Sequence, residues 1–273
     1  MTPQHIRLTP LTALGAEISG VDLRHPLEPN VRDEIAQALL DYEVLFFRDQ
    51  EICLEDHRRF ALSFGEIYAH PIGLPNKDEK NPDIFELYSD AEQPYVSELW
   101  HSDSSFEPDP PSVSILRAVE VPDSGGDTMW ASMTAAWAAL SDSWQRFLSG
   151  LEAVHEPGHF LKIATPEQLQ HIRDRGEIVH PVMRTHPLSG RKGLYVNTTF
   201  TKRIVGMKKK ESQAVLSFLA DHVESAEFHC RFHWTRNAIA MWDNRLTQHR
   251  VVGDNLSALR RMQRLTLAGE RPA

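Results

Sequence analysis

Apolar residues recur along the chain at two different spacings, and these predict a mixture of helices and strands. Between positions 31 and 42 they fall on one face of a helix that Asn30 can cap. The run 44–47 contains no polar residue and is therefore typical of a buried strand. Further helices are predicted over residues 54–64 (with Gly65 as the stop), 132–140, 142–151, 166–175 and 211–223.

Short apolar segments elsewhere predict strands. In the segment 228–234, Phe and Trp alternate with polar residues, which indicates a strand buried on one face only. His229 and His233 are therefore interpreted as polar-face residues rather than metal ligands. Many short strands with helices between them predict a mainly β protein with helical insertions (α+β), built on two packed sheets. The other predicted strands are 6–8, 16–18, 113–119, 128–130 and 194–197.

One long segment lacks this periodicity. Residues 74–94 are rich in Pro, Asn and charged side chains, and they precede the most promising chemical motif of the chain. We therefore predict an irregular active-site lid around residues 71–97, with a disordered surface loop as the alternative. With no repeat or domain boundary in evidence, residues 1–273 are expected to form a single domain.

Composition narrows the classes of function. The chain of 273 residues is 41% hydrophobic and carries a net charge of −9, which argues against a nucleic-acid partner. Two cysteines, Cys53 and Cys230, cannot form a disulfide framework, and each is expected to be a small core residue in a reducing compartment. No apolar run reaches membrane-spanning length and no secretory leader is evident, so we expect a cytoplasmic protein without a membrane partner.

A metal site is predicted around His101 and Asp103. In an extended chain these side chains would project to the same side, about 6–7 Å apart along the strand. His249 is the best candidate for a third ligand. Two histidines and one carboxylate on one face of an octahedron suit the oxygen chemistry of non-haem Fe(II). Taken alone, His-x-Asp is also compatible with a solvated loop histidine beside a turn-forming aspartate.

Several motifs together favour the metal interpretation. Trp-His-Ser-Asp at 100–103, Gly-Gly-Asp-Thr at 125–128, Trp-Asp-Asn-Arg at 242–245, and Arg260 with Arg264 resemble the taurine/2,4-dichlorophenoxyacetate dioxygenase family. The similarity extends from residues 14–23 to 269–272. It implies a double-stranded β-helix (jelly-roll) core, with Fe(II) as cofactor and 2-oxoglutarate and O2 as cosubstrates.

The resemblance also implies a role for each site residue. Arg260 would bind the distal carboxylate of 2-oxoglutarate, with the Thr128 hydroxyl beside it. Arg264 would bind the acidic group of the primary substrate. If this segment is extended, both arginines share one face and lie about 13 Å apart. The reaction would be iron-centred, and no separate acid, base or nucleophile is expected.

The substrate pocket departs from the taurine enzyme of the family. His70 and Phe200 match pocket residues, whereas Gly73 stands where that enzyme has Tyr, and Ser97 replaces the Asn that binds the taurine amine. The expected substrate is thus a small organic anion other than taurine, namely a sulfonate, alkyl sulfate or carboxylate. An aryloxyalkanoate is the alternative, because residues 99–106 closely resemble the phenoxyacetate branch.

Two further hypotheses are more distant. Zinc also accepts two histidines and a carboxylate, which leaves a metallohydrolase open, and a non-catalytic jelly-roll binding protein could keep the same site. A homodimer or homotetramer is compatible with the resemblance.

Overall fold

The computed structural model describes residues 5–68, 81, 83–92, 98–162, 164–255 and 257–273. Within these ranges we label fifteen strands, β1 to β15, and six α-helices, α1 to α6, in chain order. The strands are Arg7–Pro10, Ala16–Ser19, Val44–Phe47, Phe85–Ser89, Val113–Glu120, Thr128–Ser132, Glu152–His155, Ile178–Pro181, Met183–Thr185, Lys192–Leu194, Thr201–Ile204, His229–Phe232, Ile239–Asp243, Thr247–Val251 and Arg260–Thr266. The helices are Pro29–Tyr42, Leu54–Leu62, Met133–Ala139, Asp142–Leu148, Pro166–Arg175 and Lys209–Val223.

The largest sheet has seven strands in the order β1-β2-β3-β13-β5-β15-β4. Its strand β3 confirms the buried strand predicted at 44–47. Val44 and Phe46 pack on one face of the sheet, and Leu45 and Phe47 pack on the other. The run contains no polar residue because both faces of this strand are covered.

A three-stranded sheet, β12-β6-β14, packs against one face of the large sheet. Phe46 from the large sheet stacks on Phe232 from the small one, with ring centroids 4.2 Å apart. Helices α1 and α2 cover the opposite face of the large sheet, and α3 and α6 cover the outer face of the small one. The protein is thus a mixed α/β structure with a large share of sheet, as the spacing of apolar residues predicted.

The segment predicted as an irregular lid contains a strand of the large sheet. In β4 the side chain of Leu87 is buried, whereas Glu86 and Tyr88 on either side are exposed. The strand pairs along its length with Arg260–Arg264 of β15, and this satisfies the backbone groups on the side of β4 that faces β15. The prediction of irregular structure is therefore wrong for residues 85–89. Of the other predicted lid positions, 71–80, 82 and 93–97 lie outside the described residues.

Some predicted boundaries are also wrong. Helix α1 begins at Pro29, and Glu28 is its N-cap. Asn30 therefore lies inside the first turn and does not cap the helix. Proline is well accommodated at the first helical position, because an N–H there would have no partner within the helix. Helix α2 ends at Leu62, before the predicted position 64. Helix α4 ends at Leu148 rather than 151, and the chain turns at Gly150 with a φ of 88°. The strand predicted at 194–197 is instead β10, which ends at Leu194.

The two cysteines lie in different surroundings. Cys230 is buried in the core, as predicted. Cys53 is exposed at the N-terminus of α2, so the prediction of a core position is wrong for this residue. Among the residues described, no helix is both long enough and apolar enough to cross a membrane.

Candidate metal centre

His101, Asp103 and His249 lie together in the folded chain. One ligand atom from each residue can be chosen so that all three lie within 4.8 Å of one another, and all three residues are buried. His229 and His233 do not join this group. The ring of His229 is 2.6 Å from the carbonyl of Val223, and His233 pairs with Asp127, in agreement with a polar-face position for both.

Backbone pairing brings the two histidines together. The His101 N–H donates to the His249 carbonyl (3.1 Å), the His249 N–H donates to the His101 carbonyl (2.8 Å), and the ring centroids lie 4.2 Å apart. The chain turns at Asp103, and the next residue, Ser104, has a φ of 49°. The expected strand through 101–103 is therefore wrong, and Asp103 reaches His101 because the backbone turns rather than because side chains alternate.

A buried amide holds this turn. The Asn244 side chain accepts a hydrogen bond from the Asp103 N–H (2.7 Å) and donates to the carbonyls of Asp103 (3.0 Å) and Pro111 (2.9 Å). Asn244 has no exposed surface. The sequence does not reveal this role although Asn244 lies in the motif at 242–245, because the contact joins positions 141 residues apart.

Asp103 is surrounded by positive and hydrogen-bonding groups. Its Oδ1 accepts from Nη1 of Arg264 (2.5 Å), and its Oδ2 accepts from the Ser114 hydroxyl (2.8 Å). Burial alone would raise the pKa of Asp103, but the Arg264 guanidinium holds it well below its usual value. The carboxylate is therefore ionised at neutral pH, as a metal ligand must be.

The histidines carry the protonation that metal binding requires. Nδ1 of His101 lies 2.9 Å from the Leu99 carbonyl, which can only accept, so Nδ1 carries a proton and Nε2 is the nitrogen left to bind a metal. Burial, and then the proximity of His101, lower the pKa of His249 to about 3, so its ring is neutral. In a metal-binding histidine the ring nitrogen that does not bind the metal usually donates to a carbonyl or carboxylate, as Nδ1 of His101 does.

Two further predicted site residues lie beside this group. Arg264 on β15 contacts Asp103 directly and lies over the ring of Phe85, 4.9 Å from its centroid. The buried Phe200 presents its ring edge-on to His101, with centroids 6.1 Å apart. The predicted substrate residues His70 and Ser97 lie outside the described residues.

Thr128 and Arg260 form a second buried region. A Cβ atom placed on Gly126 would lie 3.7 Å from Cδ of Arg260, so the glycine turn before Thr128 packs against this arginine. Arg260 is 5% exposed and Thr128 is 2% exposed. The Thr128 hydroxyl accepts a hydrogen bond from the indole N–H of Trp234 (2.9 Å). The core residue Met262 separates Arg260 from Arg264 along β15.

This arrangement can bind a divalent first-row metal ion. Two imidazole nitrogens and one carboxylate oxygen would occupy one side of the ion and leave positions for other ligands. The buried guanidinium of Arg264 beside these groups can attract an anion to the same place.

Comparison with known proteins agrees with these features. The family described as "Taurine catabolism dioxygenase TauD, TfdA family" matches residues 7–266. The chain is 37% identical over 270 residues to an alpha-ketoglutarate-dependent sulfate ester dioxygenase of Pseudomonas putida, covering 95% of this chain and 88% of that protein. It is 36% identical over 278 residues to an alkylsulfatase of Acinetobacter baylyi, covering 98% and 86%.

A third relative and two solved structures span most of both chains. The alpha-ketoglutarate-dependent 2,4-dichlorophenoxyacetate dioxygenase of Cupriavidus pinatubonensis is 32% identical, with 95% of each chain covered. A taurine dioxygenase structure from Burkholderia xenovorans superposes with a TM-score of 0.84 at 35% identity, covering 99% of this chain and 93% of the other. The structure of AAD-2 with Mn(II) and N-oxalylglycine gives 0.83 at 32% identity, covering 98% and 99%. The chain therefore belongs to the TauD/TfdA dioxygenase family.

Proposed function

We propose that this protein uses Fe(II), 2-oxoglutarate and O2 to hydroxylate a small organic anion, releasing succinate and CO2. The reaction class follows from the family, and two of the three relatives named above are alpha-ketoglutarate-dependent dioxygenases. The observation that carries the assignment of the site is the buried cluster His101, Asp103 and His249, with a guanidinium 2.5 Å from its carboxylate.

The donor set fits Fe(II). When bound, this metal supplies the positions at which 2-oxoglutarate and O2 react, so that one oxygen atom enters succinate and the other enters the substrate C–H bond. His101 and His249 would provide neutral nitrogens, and Asp103 would provide a charged oxygen. Asn244 and Ser114 hold Asp103 in place through its backbone and its second oxygen, respectively.

Thr128 and Arg260 are the proposed partners of the distal carboxylate of 2-oxoglutarate. Both side chains are buried around the glycine turn at 125–126, where a planar guanidinium and a hydroxyl can bind two carboxylate oxygens. Burial also excludes water, which strengthens a charge-assisted hydrogen bond.

Arg264 and Phe200 are the proposed substrate contacts beside the metal centre. Arg264 has five N–H donors, and the contact with Asp103 uses one of its nitrogens, so other donors can orient a sulfonate, sulfate or carboxylate. Phe200 offers an apolar surface next to His101 for the carbon chain. His70 and Ser97 remain predictions from the family resemblance.

Two substrate classes are supported by different relatives. Relatives named for sulfate esters and alkyl sulfates favour an aliphatic anion, and we place this class first. The relative named for 2,4-dichlorophenoxyacetate favours an aryloxyalkanoate as the second candidate.

For the core, we propose the double-stranded β-helix of the family, supported by the two facing sheets.

The test is a panel of alkyl sulfates, alkanesulfonates and aryloxyacetates, scored by substrate-dependent succinate formation with Fe(II) in air. We expect alkyl sulfates to give the highest ratio of kcat to KM, and we expect no turnover without O2. Product formation without O2 or 2-oxoglutarate would instead favour the hydrolase, and absence of succinate with every anion would favour the binding protein.

A further inference from the structure

We propose that Trp234 is a positioning residue for 2-oxoglutarate, because its indole N–H occupies a lone pair of the Thr128 hydroxyl and leaves the hydroxyl proton to donate to the distal carboxylate. The inference rests on the proposed function, which assigns Thr128 to that carboxylate. It adds a residue that neither contacts the metal group nor belongs to the motifs of the sequence.

The geometry of the pair defines the direction of the hydrogen bond. The indole nitrogen of Trp234 lies 2.9 Å from Oγ1 of Thr128, and each residue is 2% exposed. An indole N–H can donate but cannot accept, so Oγ1 must be the acceptor in this contact. Within the described part of the chain, Trp234 is the hydrogen-bond partner that the Thr128 hydroxyl has.

Neighbouring rings hold the indole in this orientation. Trp234 follows β12, and its ring is perpendicular to that of Phe232, with centroids 5.1 Å apart. On its other side lies Trp130 of β6, 6.4 Å away between centroids. The donor is thus part of the packed core between the two sheets and cannot turn away from Thr128 without disturbing it.

The chemical consequence concerns the one proton of the hydroxyl. A carboxylate only accepts hydrogen bonds, so it is stabilised by a hydroxyl that donates and repelled by one that presents a lone pair. With Trp234 directed at Oγ1, the hydroxyl proton is left to point elsewhere, and the buried region that contains Arg260 is where the carboxylate is proposed to bind. Trp234 therefore favours a ligand with a carboxylate at this end over one with a methyl group.

The same cluster provides a matched control. Trp130 is fully buried and lies two positions after Thr128 on β6, but its indole nitrogen has no hydrogen-bond partner among the described residues. Trp130→Phe and Trp234→Phe therefore remove similar ring volume from one core, and only the second removes a hydrogen bond to Thr128.

The experiment measures equilibrium binding to the Mn(II)-loaded protein by calorimetry under anaerobic conditions. Two ligands are compared, 2-oxoglutarate and 2-oxopentanoate, which has a methyl group where 2-oxoglutarate has the distal carboxylate. We expect Trp234→Phe to weaken 2-oxoglutarate binding roughly three- to tenfold, as for one buried hydrogen bond, and to leave 2-oxopentanoate binding unchanged. Trp130→Phe keeps an aromatic ring beside Trp234, so it should change neither affinity by more than about twofold.

A double-mutant cycle makes the test specific to Thr128. Thr128→Val alone should weaken 2-oxoglutarate binding about tenfold, and Trp234→Phe should cause no further loss in the Thr128→Val background. An equal loss in both backgrounds, or an equal loss for both ligands, would overturn the role of Trp234. If Thr128→Val leaves 2-oxoglutarate affinity unchanged, the proposed 2-oxoglutarate subsite itself is wrong, and the inference fails with it.

A second variant covers the case in which Trp234→Phe does not fold. Replacing Trp234 with benzothienylalanine keeps the shape of the two-ring system but has sulfur in place of the N–H. The same selective loss of 2-oxoglutarate affinity is expected, and wild-type affinity in this variant would overturn the proposal.

Discussion

Arg264 and Asp103 form an ion pair within the candidate metal centre. Their atoms are 2.5 Å apart, and both side chains are largely buried. Since a buried charge is costly without a partner, Arg264 stabilises the ionised carboxylate before any metal binds. The same arginine is proposed to orient the substrate, so it would contact both the Asp103 carboxylate and the acidic group of the substrate.

Replacement of the two arginines separates cosubstrate from substrate. Arg260→Ala should raise the KM for 2-oxoglutarate roughly ten- to a hundredfold, because a charge-assisted hydrogen bond contributes about 1.5–3 kcal/mol. Arg264→Ala should raise the KM for the anionic substrate by a similar factor and leave the KM for 2-oxoglutarate nearly unchanged. Steady-state kinetics with both variable substrates measure these four constants.

Arg264→Lys is the control for charge, and it should recover part of the lost activity because lysine lacks the planar fork that matches an acidic group. An Arg264→Ala protein with an altered KM for 2-oxoglutarate only would contradict the substrate role. A neutral substrate that is turned over as well as an anion would contradict it too.

Asn244 should determine how well the metal is held. Asn244→Ala removes three hydrogen bonds to the backbone around Asp103 and Pro111, so the carboxylate would no longer be directed at the histidines. We expect the Kd for Mn(II) to rise about 10- to 100-fold. Calorimetric titration of the metal-free protein, with folding checked by circular dichroism, provides the measurement.

Asn255→Ala is the matched control, since that side chain also donates to a carbonyl, of Ser124, but at an exposed position. Its Mn(II) affinity should equal that of the wild-type protein. Equal loss in both variants would show that Asn244 has no special relation to the metal site.

The sequence indicated the candidate ligands but not the residues that position them. His101 and Asp103 are two positions apart, so their chemistry is visible in the motif, whereas Asn244 reaches Asp103 only through the tertiary fold. Ser114 is similar, because its hydroxyl contacts Asp103 from the inside of β5, at a position the strand pattern predicts only as buried. Trp234 was predicted as a core residue, and only the structure relates its indole nitrogen to Thr128.

Helix α2 carries a buried histidine that makes stability depend on pH. Burial, with Arg117 nearby, lowers the pKa of His57 from 6.5 to about 3. Between these values the unfolded chain binds a proton that the folded chain does not, so this contribution is present above about pH 6.5 and is lost as the pH falls towards 3. When the pH is lowered from 7.5 to 5.5, the contribution of His57 should decrease the free energy of unfolding by about 1.4 kcal/mol.

Urea unfolding of the wild-type protein and His57→Leu at both pH values isolates this contribution. The decrease in unfolding free energy between the two pH values should be smaller in the variant by about 1.4 kcal/mol. Phe60→Leu changes the same buried face of α2 without a titratable group and should keep the wild-type pH dependence. An identical pH dependence in all three proteins would show that His57 is not the responsible group.

The helices and strands differ in how well the sequence predicts them. Strand β3 is unambiguous because four consecutive apolar residues pack on two covered faces. Strand β4 was missed because its five residues lie in a polar segment, and the pairing with β15 that forms it is a tertiary contact. The start of α1 was misplaced because Asn30 is a good capping residue, whereas the helix begins two positions before the predicted residue 31, at Pro29, where proline is well accommodated.

The order of the strands could not be predicted for the whole molecule. Many short strands indicated two packed sheets, but β13 lies between β3 and β5, which precede it by more than a hundred residues. No local pattern specifies such neighbours, because each strand presents similar apolar faces to every candidate partner. The site lies where these distant segments meet, so its assembly depends on the complete topology.

Metal binding should stabilise the folded protein by mass action. Because the three ligands converge only in the native chain, Mn(II) at a hundred times its Kd should add about 2.7 kcal/mol to the unfolding free energy. Thermal unfolding with and without Mn(II) measures the shift in Tm. Asp103→Ala should show no shift, and a shift of wild-type size in that variant would exclude Asp103 as a ligand.

The bridge between His101 and His249 also has a kinetic consequence. It closes a loop of about 150 residues, and contacts of such long range form late because the chain must first lose a large part of its conformational entropy. The transition state for folding would then contain no assembled metal site. We therefore expect Mn(II) to lower the unfolding rate by a factor that accounts for most of its stabilisation, and to leave the refolding rate unchanged. The ion would then prolong the lifetime of the folded protein without speeding its formation.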